Sequence, residues 1–481
     1  MKTDPVPPRS GRLLPDPRLA IALCAAKLTA AVIRRLGRGG GTAAPGLIAH
    51  RLDPRLVAKL TRHLPDGVIV VAGTNGKTTT ARMLADMLQA SGQTVVHNRS
   101  GSNLVRGVTA ALATQATIWG HPRATIGLFE TDEAAFGEIV RLAQPRVILL
   151  NNLFRDQLDR YGELNSIATR WSAVLAQLPA TTRVVVNVDD PALAEITSNL
   201  AAQRLGFGLQ QSRYRLSALP HGADAATCRR CGHDLTYNAL YLSHLGEWHC
   251  PNCANARPPL DVIGGDIELD GVNSLRLTVT GPDGRAATNL EVGVPGLYNA
   301  YNAVAAVAVA RVLGFDDITI RDALGKFQSA FGRIERVRYR DRSLTLALVK
   351  NPVGFNEVLR MLTGASAALT VPTMIIINDL AADGRDVSWL WDVDFEQLER
   401  GTALVATAGL RGTDMANRLK YAGLSSDRII SLEGSLREAL EHFLAALPEG
   451  GTGYILPTYT AMLELRRVLT DLGAVEAFWQ T

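Results

Sequence analysis

The chain is poor in cysteine, in net charge and in unbroken apolar sequence, and each shortage removes a class of protein. Only five cysteines occur in 481 residues, four of them in two Cys-x-x-Cys pairs and one, Cys24, alone. A secreted disulfide scaffold scatters an even number instead, so a reducing, cytoplasmic setting is expected. The net charge of +4 is too small at this length for a broad nucleic-acid surface, and no basic–aromatic cluster accompanies it. Nucleic acid is therefore not an expected partner. No apolar stretch approaches the roughly 20 residues that span a bilayer: the run 19–26 is broken by Lys27, with Arg34 and Arg35 close behind. That run has the length of a signal-peptide core, but a long Pro-rich segment precedes it. An amphipathic helix packed on the body is expected there, with a helix lying against the inner membrane leaflet as the alternative.

What the chain does have is an α/β rhythm. Residues 67–72, Gly-Val-Ile-Val-Val-Ala, read as a buried strand, followed by a turn and a helix from about Thr78 to Ala90. Apolar runs at 124–130, 146–151 and 183–188 read as further buried parallel strands with helices between them, the pattern of a doubly wound sheet. Over 212–290 the rhythm breaks, and alternating segments such as 274–280 read as a small β-rich insertion. An Ala-rich helix follows at about 299–313. Beyond Val337, strand-like runs at 343–349, 373–378, 403–407 and 453–456 predict a second, smaller α/β domain. The expected divisions are 1–66 (a helix and the glycine-rich stretch 37–41), 67–335 and 336–481.

Gly73-Thr74-Asn75-Gly76-Lys77-Thr78-Thr79 lies between a buried strand and a helix, the setting of a phosphate-binding loop. Backbone N–H groups and the positive end of the helix dipole face the anion. Gly73 and Gly76 let the backbone approach closely. Lys77 brings a positive charge to the β/γ-phosphates and the Thr78 hydroxyl can ligate Mg²⁺. The first glycine of a standard Walker loop would fall at Val71, so this is a variant. Downstream, Glu130-Thr-Asp132, Asn151-Asn152, Asn187, Asp189 and Asp190 sit just past predicted strand ends, where open α/β sheets bind ligands. Each alone is equally readable as a strand-end cap; together they converge on one nucleotide–metal site.

Cys228-x-x-Cys231, then 18 residues, then Cys250-x-x-Cys253 has the spacing of a four-thiolate Zn²⁺ ribbon, an insert at about 221–258. Four thiolates fill a tetrahedron and leave no position for water, so the site reads as structural; a redox role for the pairs is the alternative.

With those residues in hand, the chain resembles the Mur ligase and folylpolyglutamate synthetase superfamily. The loop at 73–79 resembles the family's ATP loop. Glu130-Thr-Asp132 falls where these enzymes carry a Mg²⁺-binding glutamate. Residues 151–162 are similar to their Asn…Asp-His-Leu-Asp…Gly segment, with Gln157 in place of the usual metal-contacting His. Gly296-Leu-Tyr-Asn-Ala-Tyr-Asn-Ala resembles their adenine-side motif and implies that Asn299 and Asn302, on one helix face, lie near the nucleotide. Gly332-Arg-Ile-Glu335 resembles the motif closing the central domain, with Arg333 near the phosphates. The family implies ATP held by residues 73–79, Glu130, Asn299, Asn302 and Arg333, and Mg²⁺ held by Thr78 and Glu130. The implied architecture is a central ATPase domain with a parallel sheet, an inserted four-cysteine zinc ribbon and a C-terminal Rossmann-like α/β domain. The N-terminal region is too short for the UDP-binding domain of the soluble ligases, so a substrate other than a simple UDP-sugar peptide is expected.

Ribbon, short N-terminal region and two C-terminal segments narrow the resemblance to the synthetase-like subunits of lipid II isoglutaminyl synthases. Those segments are Asn378-Asp-Leu-Ala-Ala-Asp-Gly-Arg-Asp-Val-Ser-Trp-Leu-Trp-Asp392 and Leu456-Pro-Thr-Tyr-Thr-Ala-Met462. This branch implies ATP-dependent amidation of the D-Glu α-carboxyl of the lipid II stem peptide to D-isoglutamine through an acyl phosphate. Ammonia would come from a GatD-like glutamine amidotransferase in a heterodimer, at the cytoplasmic face of the membrane. A Mur or folylpolyglutamate-type ligase that joins an amino acid is the alternative. The branch further implies that one Asp of the C-terminal domain completes the partner's Cys–His pair. Asp383 and Asp386 are the candidates, followed by Asp392; as residues, all three are also readable as caps. In the superfamily a segment at the place of Lys350-Asn351-Pro352 reaches toward the acyl substrate; as residues, these are equally readable as a strand-to-turn break.

Overall fold

A computed structural model describes residues 16–35, 43–98, 102–155, 164–221, 223–281, 288–328, 334–364 and 368–475. Arg333, Gln157 and the glycine-rich stretch 37–41 lie outside the described residues. The described chain forms two open sheets, each flanked by helices, and one short hairpin.

The larger sheet has nine strands in the order Thr288–Val292, Ser274–Thr280, Val262–Asp270, Gln203–Leu209, Arg183–Asn187, Val147–Leu150, Val68–Ala72, Ile126–Glu130 and Val95–His97. From Val262–Asp270 to Val95–His97 all pairings are parallel. Val68–Ala72 is buried at every position, as a β-branched central strand covered on both faces must be. The β-rich stretch expected to be a separate insertion divides. Strands Val262–Asp270, Ser274–Thr280 and Thr288–Val292 extend the main sheet, the last two pairing antiparallel. Only the hairpin Thr236–Leu242 and Leu245–His249 stands apart, in the cysteine segment. Alternation of apolar and polar residues signals a strand with one buried face, but carries nothing about which sheet it joins.

Helix Leu297–Val312 is buried along nearly its whole length. Its alternation of Ala and Val lets it press closely against the sheet and against helix Lys77–Ala90, with which it shares one core. At the N-terminus, helix Pro17–Arg35 buries Leu19, Ala22, Leu23 and Ala26 in a second core on the opposite face of the same sheet.

The smaller sheet runs Ile334–Tyr339, Arg342–Ala347, Thr452–Pro457, Thr373–Ile376, Val405–Ala408 and Ile429–Ser431. All its pairs are parallel except the first. Helix Pro352–Thr363 joins the two halves: the Arg360 guanidinium donates to Tyr241 O at 2.7 Å and Tyr214 O at 2.6 Å.

Candidate functional site

Strand register assembles the site. Val68–Ala72 lies between Ile126–Glu130, where Val71 faces Glu130, and Val147–Leu150, where Ala72 faces Leu150. The carboxyl ends of three parallel strands therefore deliver Gly73, Glu130 and Asn151 to one edge. The chain also crosses from one side of Val68–Ala72 to the other after strand Ile126–Glu130, so the loop stands at a topological switch point, the crevice where such sheets take ligands.

The loop is held tightly. Gly73 has φ +144° and Gly76 φ +82°. A Cβ on Gly76 would stand 2.0 Å from Asn302 Oδ1, and one on Gly73 would stand 2.9 Å from Asn151 Cβ. Asn152 braces the loop from below: its Oδ1 accepts from Asn75 N at 2.8 Å and its amide donates to Asn75 O at 3.1 Å. Thr74 Oγ1 donates to Phe154 O and accepts from Phe154 N. Residues 151–154 thus act as a cradle for the loop.

The N-terminus of helix Lys77–Ala90 carries the reactive groups. Thr78 Oγ1 donates to Glu130 Oε1 at 2.9 Å, so hydroxyl and carboxylate already face one point, as a hard cation with oxygen ligands requires. Lys77 is buried; its ammonium donates to Gly73 O and, at 3.1 Å, Thr74 O, and lies 3.4 Å from Glu133 Oε2. Glu133 escaped the strand-end pattern because it sits three residues past the strand; the acidic run 130–133 was the available signal. Asn98 escaped as well: its amide donates to Glu130 O at 2.8 Å and accepts from Glu130 N at 3.0 Å, holding the carboxylate's backbone.

Asn302 and Asn299 come together on one helix face as their spacing implies, with Asn302 Nδ2 donating to Asn299 Oδ1 at 2.9 Å. Asn302 Oδ1 also accepts from Thr80 Oγ1 at 3.2 Å, so this pair abuts the phosphate loop. Across the site, Asn351 of the C-terminal half donates to Asn75 Oδ1 at 3.0 Å and caps helix Pro352–Thr363 by accepting from Gly354 N at 2.8 Å. Asn351 thus brings the smaller sheet's first helix to the phosphate loop.

Other strand-end carboxylates turn inward. Asp189 is fully buried and accepts from Arg257 Nη1 at 2.8 Å, Tyr301 Oη at 2.7 Å and Leu209 N at 2.9 Å. Burial pushes its carboxyl above the usual range while the Arg257 guanidinium pulls against it. Asp190 caps helix Pro191–Ile196, and Asp132 accepts from Ala134 N. For these three the expected convergence on a metal gives way to capping and bracing, because buried polar groups at strand ends need partners.

The four ribbon cysteines converge. Their Sγ atoms all lie within 4.8 Å of one another, with Cys228–Cys253 at 3.6 Å and Cys231–Cys250 at 3.5 Å. Zn–S bonds of about 2.3 Å place tetrahedral sulfurs about 3.8 Å apart, so the donor set fits the ion. The Asn252 side chain beside Cys231 helps draw its thiol down to about 6, whereas burial and the other three sulfurs push the Cys253 thiol up to about 12, so it is the converging geometry that speaks for the ion. The hairpin is fastened to the main sheet: Trp248 Nε1 donates to Val188 O at 3.0 Å and Gly246 N to Asp189 O at 3.1 Å.

In the C-terminal half the two motif segments meet, since strands Thr373–Ile376 and Thr452–Pro457 are parallel neighbours. Asn378 N donates to Thr458 Oγ1, and Asp383 accepts from Thr460 N at 2.8 Å and from its hydroxyl. Asp383 is thereby buried as a brace on helix Tyr459–Asp471. The loop is pinned, with Arg411 Nε also 2.8 Å from Asp379. Asp386 is exposed, and the Ser388 N–H holds its carboxyl below the usual range. Asp392 is half-buried, 3.7 Å from Arg155.

Residues 71–240 match the Mur ligase middle domain and residues 348–462 the MurT ligase C-terminal domain. The subunit MurT of lipid II isoglutaminyl synthase (glutamine-hydrolyzing) from Streptococcus pneumoniae is 32% identical over 94% of this chain and 97% of its own length. That of Staphylococcus aureus (strain COL) is 28% identical over 92% and 95%. Among solved structures, a pseudomurein peptide ligase type C from Methanothermus fervidus superposes with TM-score 0.64 at 18% identity, covering 86% of this chain and 80% of that one. It shares the fold.

Proposed function

Because the chain belongs to the MurT family of lipid II isoglutaminyl synthase subunits, we propose that it amidates the D-Glu α-carboxyl of the lipid II stem peptide. A carboxylate oxygen takes the γ-phosphoryl group of ATP and ADP leaves. Ammonia then attacks the carbonyl carbon, the C–O bond to phosphate breaks, a proton is lost, and D-isoglutamine and phosphate result. Lys77 exchanges the carbonyls of the loop for the β/γ-phosphates, and Arg333 adds a second positive charge at the transferring group. Thr78 and Glu130 would hold Mg²⁺, which would offset phosphate charge when bound. Zn²⁺ in the four-cysteine ribbon is structural. The observation that carries the reading is the Thr78–Glu130 contact at the helix N-terminus, directly behind a left-handed glycine.

Ammonium predominates at neutral pH and has no lone pair with which to attack, so ammonia must be delivered unprotonated. The four ribbon cysteines and Cys24, on the N-terminal helix, leave none as a glutaminase nucleophile. Use of glutamine therefore calls for a separate, GatD-like chain. Asp386, exposed and held ionised by Ser388, is the residue we assign to the partner's histidine, with Asp383 bracing the loop that presents it. Nearby Leu380 and Trp391 are exposed apolar side chains of the kind that anchor interfaces. A lipid-linked substrate places the complex at the cytoplasmic face of the membrane.

The test is to purify the chain with a candidate amidotransferase and follow lipid II by mass spectrometry, supplying ATP, Mg²⁺ and glutamine. Carboxyl-to-carboxamide conversion that requires all three is expected. Incorporation of a free amino acid in place of ammonia would move the assignment to an amino-acid ligase. Asp386→Ala should abolish glutamine-dependent but spare ammonia-dependent conversion; loss of both would remove its assigned role.

A further inference from the structure

The N-terminal helix Pro17–Arg35 is two-sided in an unusual way. Its inner face buries Leu19, Ala22, Leu23 and Ala26. Its outer stripe, where a solvated helix carries charge, holds Ile21, Cys24, Leu28 and Val32, spaced three, four and four residues apart. Ile21 is 60% exposed, Leu28 68% and Val32 54%. The loop at 117–123, whose Gly120 packs on the inner-face Leu19 (a Cβ there would stand 2.7 Å from it), carries a further exposed apolar side chain, Trp119, 66% exposed; Lys27 Nζ donates at 3.1 Å to Thr114 O of helix Val105–Gln115. Helix Ala43–Leu52, packed beside the first with Arg18 Nε donating to Leu52 O at 2.7 Å, leaves Leu47 and Ile48 outward.

The two helices themselves carry charge of one sign, and Glu138 of a neighbouring helix lies 4.0 Å from His50. From residue 17 to 52 the sequence contains no Asp or Glu, yet it contains Arg18, Lys27, Arg34, Arg35, Arg38 and Arg51. Arg34, Arg35 and, beyond the second helix, Arg123 are exposed. The carboxylates flanking the two helices, Asp16 and Asp53, are both taken up by Lys59 at 2.6 Å. No helix among the described residues is long and apolar enough to cross a membrane.

We propose that the outer stripe of helix Pro17–Arg35 docks on the surface of an anionic bilayer. The apolar side chains enter the boundary between headgroups and acyl chains, and Arg34, Arg35 and Lys27 meet the lipid phosphates. A protein partner of equal apolar area would need its own acidic rim, whereas an anionic leaflet supplies uniform negative charge and apolar depth together. Docking rests on the lipid-linked substrate of the proposed function for its purpose, though not for its physics. A substrate whose carrier stays in the bilayer is reached by motion along the membrane plane, so the surface concentrates enzyme where substrate is.

Flotation of the full chain, alone and with its amidotransferase, tests this with vesicles of phosphatidylglycerol and phosphatidylcholine against phosphatidylcholine alone. The chain should float with the anionic vesicles and be released by salt. Leu28→Glu/Val32→Glu and, separately, Arg34→Glu/Arg35→Glu should each weaken partition by about tenfold, with unchanged thermal melting because all four side chains are exposed. Leu28→Ser/Val32→Ser, which adds no charge, should weaken it to a smaller degree. No flotation with anionic vesicles, or flotation that the variants leave unchanged, overturns the proposal, as does loss of amidotransferase binding in place of vesicle binding. Activity on a water-soluble, short-chain substrate separates the two readings. Failure there counts against the amidation chemistry and leaves vesicle binding standing; normal activity there without vesicle binding does the reverse.

Discussion

Gly76→Ala should disable the phosphate loop without touching a charged group. At φ +82° an L-residue costs about 1–2 kcal/mol relative to glycine. The new methyl carbon would also stand 2.0 Å from Asn302 Oδ1, so the amide has to leave. Asn302 then loses its bonds to Thr80 at 3.2 Å and Asn299 at 2.9 Å, about 1 kcal/mol each. The sum is about 3–4 kcal/mol of stability. ATP affinity should fall at least about tenfold as the loop N–H groups lose their aim. Urea denaturation, read as a midpoint shift at constant slope, and titration with a fluorescent ATP analogue measure the two effects. A double-mutant cycle isolates the contact. In an Asn302→Ala background the clash is gone, so Gly76→Ala should cost only the backbone part, and a coupling of about 2 kcal/mol should appear. Strict additivity, or a Gly76→Ala variant within about 0.5 kcal/mol of the parent, would refute the reasoning.

Removing the ribbon metal with a chelator, or Cys228→Ser with Cys253→Ser, should release one zinc per chain and lower the melting temperature. Metal analysis and scanning fluorimetry check this, and an unchanged melt in metal-free protein would contradict a structural role. Asp189→Asn should leave the Arg257 guanidinium without its counter-charge and cost about 3 kcal/mol. Tyr301→Phe should cost about 1 kcal/mol; denaturation curves that rank them in the opposite order would locate the cost elsewhere. Asn351 separates cap from site. Asn351→Asp keeps a capping oxygen and should melt like the parent, yet bind ATP more weakly because a carboxylate then faces the triphosphate. Asn351→Ala should lose about 1 kcal/mol of stability with a smaller loss of ATP affinity. Parent-like ATP binding by the Asp variant would mean Asn351 does not face the nucleotide.

Local chemistry was legible in the sequence by itself. Residues 73–79 carry their own instructions, since a buried β-branched strand, two glycines and a Lys-Thr helix start need only neighbours along the chain. The same holds for the two Cys-x-x-Cys knuckles and for Asn299 and Asn302, three apart on one face. Tertiary structure decided which strand ends share an edge. It turned Asp189 and Asp190 into braces, buried Asp383 on Thr460 while leaving Asp386 exposed, and joined the strands after residue 262 to the main sheet. It alone brought Asn351 to Asn75, 276 residues away, and put Glu133 beside Lys77. The physical reason is that periodicity and spacing report which face of an element is apolar, whereas the partner of a polar side chain depends on sheet order and register. Two sequences of identical local pattern can satisfy the same buried carboxylate with a helix N-terminus or with a metal, and only the packed neighbours distinguish them.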